Sequence, residues 1–209
     1  MSAAKFITVE GIEGVGKSTQ VGLLCEYLRS RGVTALATRE PGGTQVGEHI
    51  RGLLLQASTT PMHPETELLL MFAARAEHLH QVILPALTNN RWVVCDRFTD
   101  ASYAYQGGGR GLAVERIMAM EQWLQGDFRP YLTLLLDAPV EAALSRINLR
   151  QAEDRFEQET VDFFVRVRHA YLERAAREPH RFCVIDANAP LNEVRRAAAA
   201  ACDRLIAVD

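Results

Sequence analysis

The sequence predicts a single α/β domain, residues 1–209, built on a parallel sheet covered by helices on both faces. Two observations predict it. Short apolar runs of strand character alternate with stretches of helical period, and 209 residues that are 48% hydrophobic suffice for one core. The strand-like runs are Phe6 to Glu10, Val33 to Thr38, Trp92 to Cys95, Tyr131 to Leu136 and Phe182 to Ile185. After the first run, Val21, Leu24, Cys25 and Leu28 fall at i, i+3, i+4 and i+7, and Gly32 marks a stop. Val46, Ile50, Leu53 and Leu54 repeat the pattern, as do Val194, Ala198, Ala201 and Leu205. Pro85, inside an apolar run, ends or restarts a helix just before it. The glycine-rich stretches Pro41 to Thr44 and Gln106 to Gly111 read as loops on the ligand face.

Charge and cysteine usage exclude several functions. A net charge of -3 gives no basic field for wrapping a nucleic acid or docking on an anionic membrane. Cys25, Cys95, Cys183 and Cys202 form no C-x-x-C pair and read as buried, reduced thiols. The first residues carry no long apolar region and no segment long enough to span a bilayer, so a cytoplasmic protein is expected.

Gly11-Ile12-Glu13-Gly14-Val15-Gly16-Lys17-Ser18 fits G-x-x-x-x-G-K-[ST] between a strand and an amphipathic helix. Glycines let consecutive N–H groups turn toward phosphate oxygens, and the helix N-terminus adds positive potential. Lys17 then serves as a point charge on the β and γ phosphates of ATP and Ser18 as a hydroxyl ligand of Mg²⁺, with Thr19 next to them in the ATP-binding set. The loop alone does not separate a kinase from a GTPase switch or a motor ATPase. No Asn-Lys-x-Asp segment is present, and the fourth strand ends Leu136-Asp137-Ala138-Pro139. Cations are instead spread over several loops: Arg39, Arg97 beside Asp96, and Arg146, Arg150 and Arg155. Phosphoryl transfer needs cations that approach the moving group from both donor and acceptor sides.

Thr38-Arg39-Glu40-Pro41-Gly42-Gly43-Thr44, Phe72-Ala73-Ala74-Arg75, Asp96-Arg97-Phe98 and Ala104-Tyr105-Gln106-Gly107-Gly108 closely resemble the motifs of the thymidylate kinase family, in its order and spacing. The likeness runs from about Phe6 to the last helix. It implies a P-loop kinase fold with a five-stranded parallel sheet, a homodimer, and Mg²⁺-dependent direct in-line transfer from ATP to dTMP. It also implies site roles. Glu13 holds the sugar 3′-hydroxyl, Arg39 and Arg97 grip the acceptor phosphate, and Asp96 reaches Mg²⁺ through water. Phe72 stacks on thymine and Arg75 hydrogen-bonds it, while Ser102, Tyr105 and Gln106 lie near base and sugar. Tyr105 beneath the deoxyribose would disfavour a 2′-hydroxyl. The segment at about 143–156 resembles a mobile basic lid, with Arg150 as the catalytic cation and Arg146 nearer adenine. Asn148 departs from the arginine that related lids often carry.

Several of these residues have plainer readings. Glu13 could be a solvated loop acid, and Arg39 and Arg97 surface ion pairs with Glu40 or Asp96. Phe72 taken alone reads as core, and the lid arginines as a solvated helix balanced by Glu153 and Asp154. The functional rivals are another deoxynucleoside or pyrimidine-monophosphate kinase, a slow nucleotide switch, and an inactive scaffold.

Overall fold

In the computed structural model, residues 4–56, 60–148 and 155–206 are described. Five parallel strands form one sheet in the order β2-β3-β1-β4-β5: β1 Phe6–Glu10, β2 Ala35–Arg39, β3 Trp92–Asp96, β4 Leu132–Asp137 and β5 Phe182–Asp186. β1 lies at the centre, with Phe6 opposite Val93 of β3 and Ile7 opposite Leu132 of β4. All five of its residues are buried, as a strand covered on both faces requires. The outer strands β2 and β5 are only half-buried. Because the chain leaves β1 toward one edge and returns for β4 on the other side, a crevice opens at the carboxyl end of β1, where α/β sheets collect ligands.

The second strand begins at Ala35, two residues later than expected. The preceding helix α1, Lys17–Ser30, accounts for the delay. Gly32 takes φ 77° and donates to Arg29 O, and Val33 donates to Leu28 O at 2.9 Å. This double closure uses the Val33 N–H to finish the helix, so the strand cannot claim it. The break expected at Pro85 is present. α3, Pro64–His78, passes into a π-helical turn at Leu79–Ile83, and α4, Leu84–Thr88, restarts one residue before the proline. A ring without an N–H, pressing on the carbonyl four residues back, favours such a widened turn.

The stretch Gln106 to Gly111 differs from expectation. α5, Thr99–Ser102, runs straight into a π-helical segment, Tyr103–Gly109. Its glycines answer to a neighbouring helix, α8, Val161–Arg177. A Cβ at Gly108 would lie 2.6 Å from the Ala170 Cβ, and one at Gly109 2.5 Å from the Phe163 ring. Pro41 to Thr44 is a loop as expected, and Thr44 caps α2, Gln45–Leu55, by accepting from the Gly47 N–H. The remaining helices are α6, Val114–Gln125, α7, Val140–Asn148, and α9, Leu191–Ile206. Among the described residues no helix is long and apolar enough to cross a membrane.

Candidate active site

The phosphate loop leaves β1 and enters α1 through backbone conformations that only glycine takes easily. Gly11 has φ 137°, and a Cβ there would lie 2.4 Å from the Leu136 carbonyl oxygen. Gly16, in the left-handed region at φ 89°, stands at the N-cap of α1 without a side-chain hydrogen bond to the helix. The first N–H groups of α1 therefore face a cavity of about 740 Å³ instead of a capping side chain. Glu13, Gly14, Val15, Gly16, Lys17, Ser18 and Thr19 line it, and Gly11 and Ile12 do not. Lys17 Nζ donates to Ile12 O at 2.7 Å, and burial, followed by the nearby Arg97 charge, pushes its pKa down to about 8. Phosphate oxygens placed there would restore the charged form.

Ser18 Oγ donates to Asp96 Oδ2 at 2.7 Å where β3 ends. A hydroxyl beside a carboxylate is a hard-oxygen donor set suited to Mg²⁺, which keeps most of its water and takes few protein ligands. Among the described residues no group of three or more His, Cys, Asp or Glu side chains gathers as a metal cage, so phosphate and water oxygens would complete this site.

Arg97 also lines the cavity. Its backbone has φ 69°, uncommon for a side chain with a Cβ and costing about 1–2 kcal/mol. Nη1 donates to Gly11 O at 2.8 Å and to Tyr171 Oη at 3.1 Å; Nη2 donates to Glu13 Oε1 at 2.8 Å and to Tyr105 Oη at 2.9 Å. Tyr105 in turn donates to the other Glu13 oxygen. The arginine pairs with Glu13 across the site and not with Asp96, and both side chains are only 15% exposed.

Glu10 lies beneath this network, accepting from the Phe98 N–H at 2.6 Å and the Tyr171 hydroxyl at 2.7 Å. Burial, with the neighbouring Asp100 charge next, raises its pKa from 4.5 to about 8. The folded form thus holds a proton that the unfolded chain gives up, and the associated stability is lost as pH rises from 4.5 to about 8. Denaturant unfolding should show this decline in the native protein and a flatter profile in Glu10→Gln; equal slopes would refute it.

Arg75 of α3 is 2% exposed and donates from Nε to Glu40 Oε2 at 2.7 Å and from Nη2 to Phe98 O at 3.1 Å. His78 Nδ1 meets the second Glu40 oxygen at 3.0 Å. Arg75 Nη1 and Ser102 Oγ are buried without a hydrogen-bond partner among the described residues, and both residues line the cavity. Two orphaned polar atoms on residues that line the cavity mark a place for a polar ligand. Tyr105 and Gln106 line the cavity as well.

Phe72 does not join them. Its ring is 3% exposed, packed with Leu68, Tyr103 and Ile117, and lies 4.6 Å below the Arg75 guanidinium. Phe72 is not among the residues that line the cavity, whereas Met71, four residues before Arg75 on the same helical face, is. Phe72 instead supports the arginine from beneath.

The remaining cations divide. Arg39 lines the cavity but is half-exposed and bound to both Glu48 oxygens at 2.9 Å, not to Glu40. Arg146 donates to Ala187 O and Asn188 Oδ1 and lines the cavity, as do Ala187, Ala189, Leu191 and Val194. Arg155 is tied away from the phosphate loop, to Glu67 at 2.6 Å and to Leu54 O. Arg150 lies outside the described residues. Sequence reasoning missed Met71, Glu10 and Tyr171; the i, i+4 spacing to Arg75 was the one signal available for Met71.

The thymidylate kinase family profile matches residues 9–198. The chain is 58% identical over 195 residues to the thymidylate kinase of Alkalilimnicola ehrlichii, covering 93% of this chain and 90% of that protein. It is 55% identical over 207 residues to that of Methylococcus capsulatus, covering 99% of each. The crystal structure of thymidylate kinase from Ehrlichia chaffeensis superimposes with a TM-score of 0.71 at 35% identity, over 88% of this chain and 93% of that one.

Proposed function

This chain belongs to the thymidylate kinase family and transfers the γ-phosphoryl group of ATP to dTMP, giving dTDP and ADP with Mg²⁺; on that premise we propose how its own residues carry the reaction. The observation that supports the assignment is a single cavity with a phosphate loop at one end and the orphaned Arg75 Nη1 and Ser102 Oγ at the other. ATP occupies the first end and the thymine base the second, so the two phosphate chains meet beside Arg97.

The acceptor phosphate is already an anion, so no strong base is required, and catalysis reduces to positioning and charge stabilisation. Lys17 and the α1 N–H groups hold the donor phosphates. Ser18 directly and Asp96 through water would hold Mg²⁺, which would neutralise charge on those phosphates. Arg97, with Arg39 at the rim, grips the acceptor phosphate, which takes over part of the donor capacity now given to Glu13. The released Glu13 carboxylate accepts the sugar 3′-hydroxyl, and Tyr105 underlies the deoxyribose. Arg146 lies at the adenine end. Arg150, in a lid at about 143–156, supplies a further cation; residues 149–154 of that lid lie outside those described. The whole chain acts as one domain.

Two further parts of the reading concern setting. We propose a homodimer in the cytoplasm, formed through the face on which α2 and α3 expose Val46, Leu53 and Leu69. A monomer by sedimentation at micromolar concentration would remove the dimer.

Met71 forms the apolar wall of the base site. Met71→Ala should raise the KM for dTMP about 10-fold with kcat little changed, whereas Phe72→Ala should destabilise the fold by about 3 kcal/mol or more. Steady-state kinetics beside thermal unfolding separates the two, and a KM effect confined to Phe72→Ala would return the base contact to the phenyl ring.

A further inference from the structure

We infer that Glu67 sets the base selectivity of the acceptor site by fixing the direction of the Gln106 side-chain amide. Glu67 stands in the first turn of α3 and is fully buried. Gln106 Nε2 donates to its Oε1 at 2.8 Å; Arg155 Nη2 donates to Oε2 at 2.6 Å, and Arg110 Nε lies within 3.3 Å of both oxygens. A carboxylate between two guanidinium groups can only accept hydrogen bonds. The Gln106 amide must therefore present its NH₂ end to Glu67, which leaves Oε1 as the end available to the cavity that Gln106 lines.

Chemistry follows from that orientation. Thymine and uracil carry an imide N–H flanked by carbonyl groups. A fixed amide oxygen accepts from the N–H, and the unpartnered Arg75 Nη1 can donate to a neighbouring carbonyl. Cytosine offers a bare ring nitrogen and an amino group at the corresponding positions, so acceptor would meet acceptor and donor would meet donor. Left to itself, an amide rotates to suit either base. Glu67 removes that freedom, and so acts as a positioning residue, through Gln106. The same carboxylate anchors Arg155, whose guanidinium lies 4.7 Å from the Phe156 ring on the cavity wall.

The inference rests on Gln106 facing the base. It is tested in the full chain by the ratio of kcat/KM for dTMP to that for dCMP, with thermal unfolding recorded beside it. Glu67→Gln keeps the shape but can donate or accept, so Gln106 is free to turn, and the ratio should fall about 10-fold or more. Arg110→Met removes another partner of the same carboxylate without releasing the amide. It should lower stability and leave the ratio unchanged. If Glu67→Gln does not fold, Glu67→Asp, which draws the carboxylate back by one methylene, should lower the ratio in the same way. An unchanged ratio in the folded Glu67 variant, or an equal fall in Arg110→Met, overturns the inference. A native enzyme that barely distinguishes dTMP from dCMP overturns the underlying placement of Gln106 instead.

Discussion

Lys17→Ala is expected to lower dTMP phosphorylation by about 10²- to 10³-fold, the cost of removing one preorganised charge from a transition state, while leaving the fold intact. The second half of that expectation follows from burial. A lysine whose pKa is pushed down to about 8 carries its charge at the expense of folding stability: at pH values below 8 the folded and unfolded forms are both protonated, and the desolvation penalty is fully present. Alanine removes the penalty together with the hydrogen bond to Ile12 O. Thermal unfolding without nucleotide should therefore be unchanged or slightly raised, and nucleotide should no longer protect. Retained turnover would move the donor-phosphate role away from Lys17.

The second large effect is expected at Arg97. Arg97→Lys keeps the charge but cannot reproduce a planar fork that reaches Gly11 O, Tyr171, Glu13 and Tyr105 together. Loss of about 10²-fold in kcat/KM for dTMP is expected, with the KM for ATP much less affected. Arg39, half-exposed and already paired with Glu48, must share its donors between that carboxylate and the phosphate in a solvent-screened position, so its replacement should cost less. Steady-state kinetics on both variants decides; an Arg97→Lys enzyme with native kcat/KM would show that this side chain only braces the loop.

Much of this site was legible in the sequence because its determinants are local. The phosphate loop needs glycines at fixed offsets between a strand and a helix, and Asp96 and Arg97 follow a strand directly, so spacing alone puts them at the sheet's carboxyl edge. What could not be read depends on contacts between distant segments. Helical period places both Phe72 and Met71 within one turn of Arg75, and only the packing of Leu68, Tyr103 and Ile117 turns the phenyl ring away. Arg155 reads as one more lid cation until Glu67, 88 positions earlier, is seen to hold it. Glu67 itself resembles an ordinary first-turn acid at a helix N-terminus. Glycines 108 and 109 suggest a ligand loop, yet their missing side chains make room for α8.

The direct passage of a phosphoryl group between two nucleotides bound end to end is tested most simply by product balance. Purified protein given ATP, Mg²⁺ and dTMP should form dTDP and ADP in equal amounts, with little ADP when dTMP is omitted or thymidine takes its place. Steady ADP release without dTMP, or ADP in clear excess over dTDP, would contradict the account.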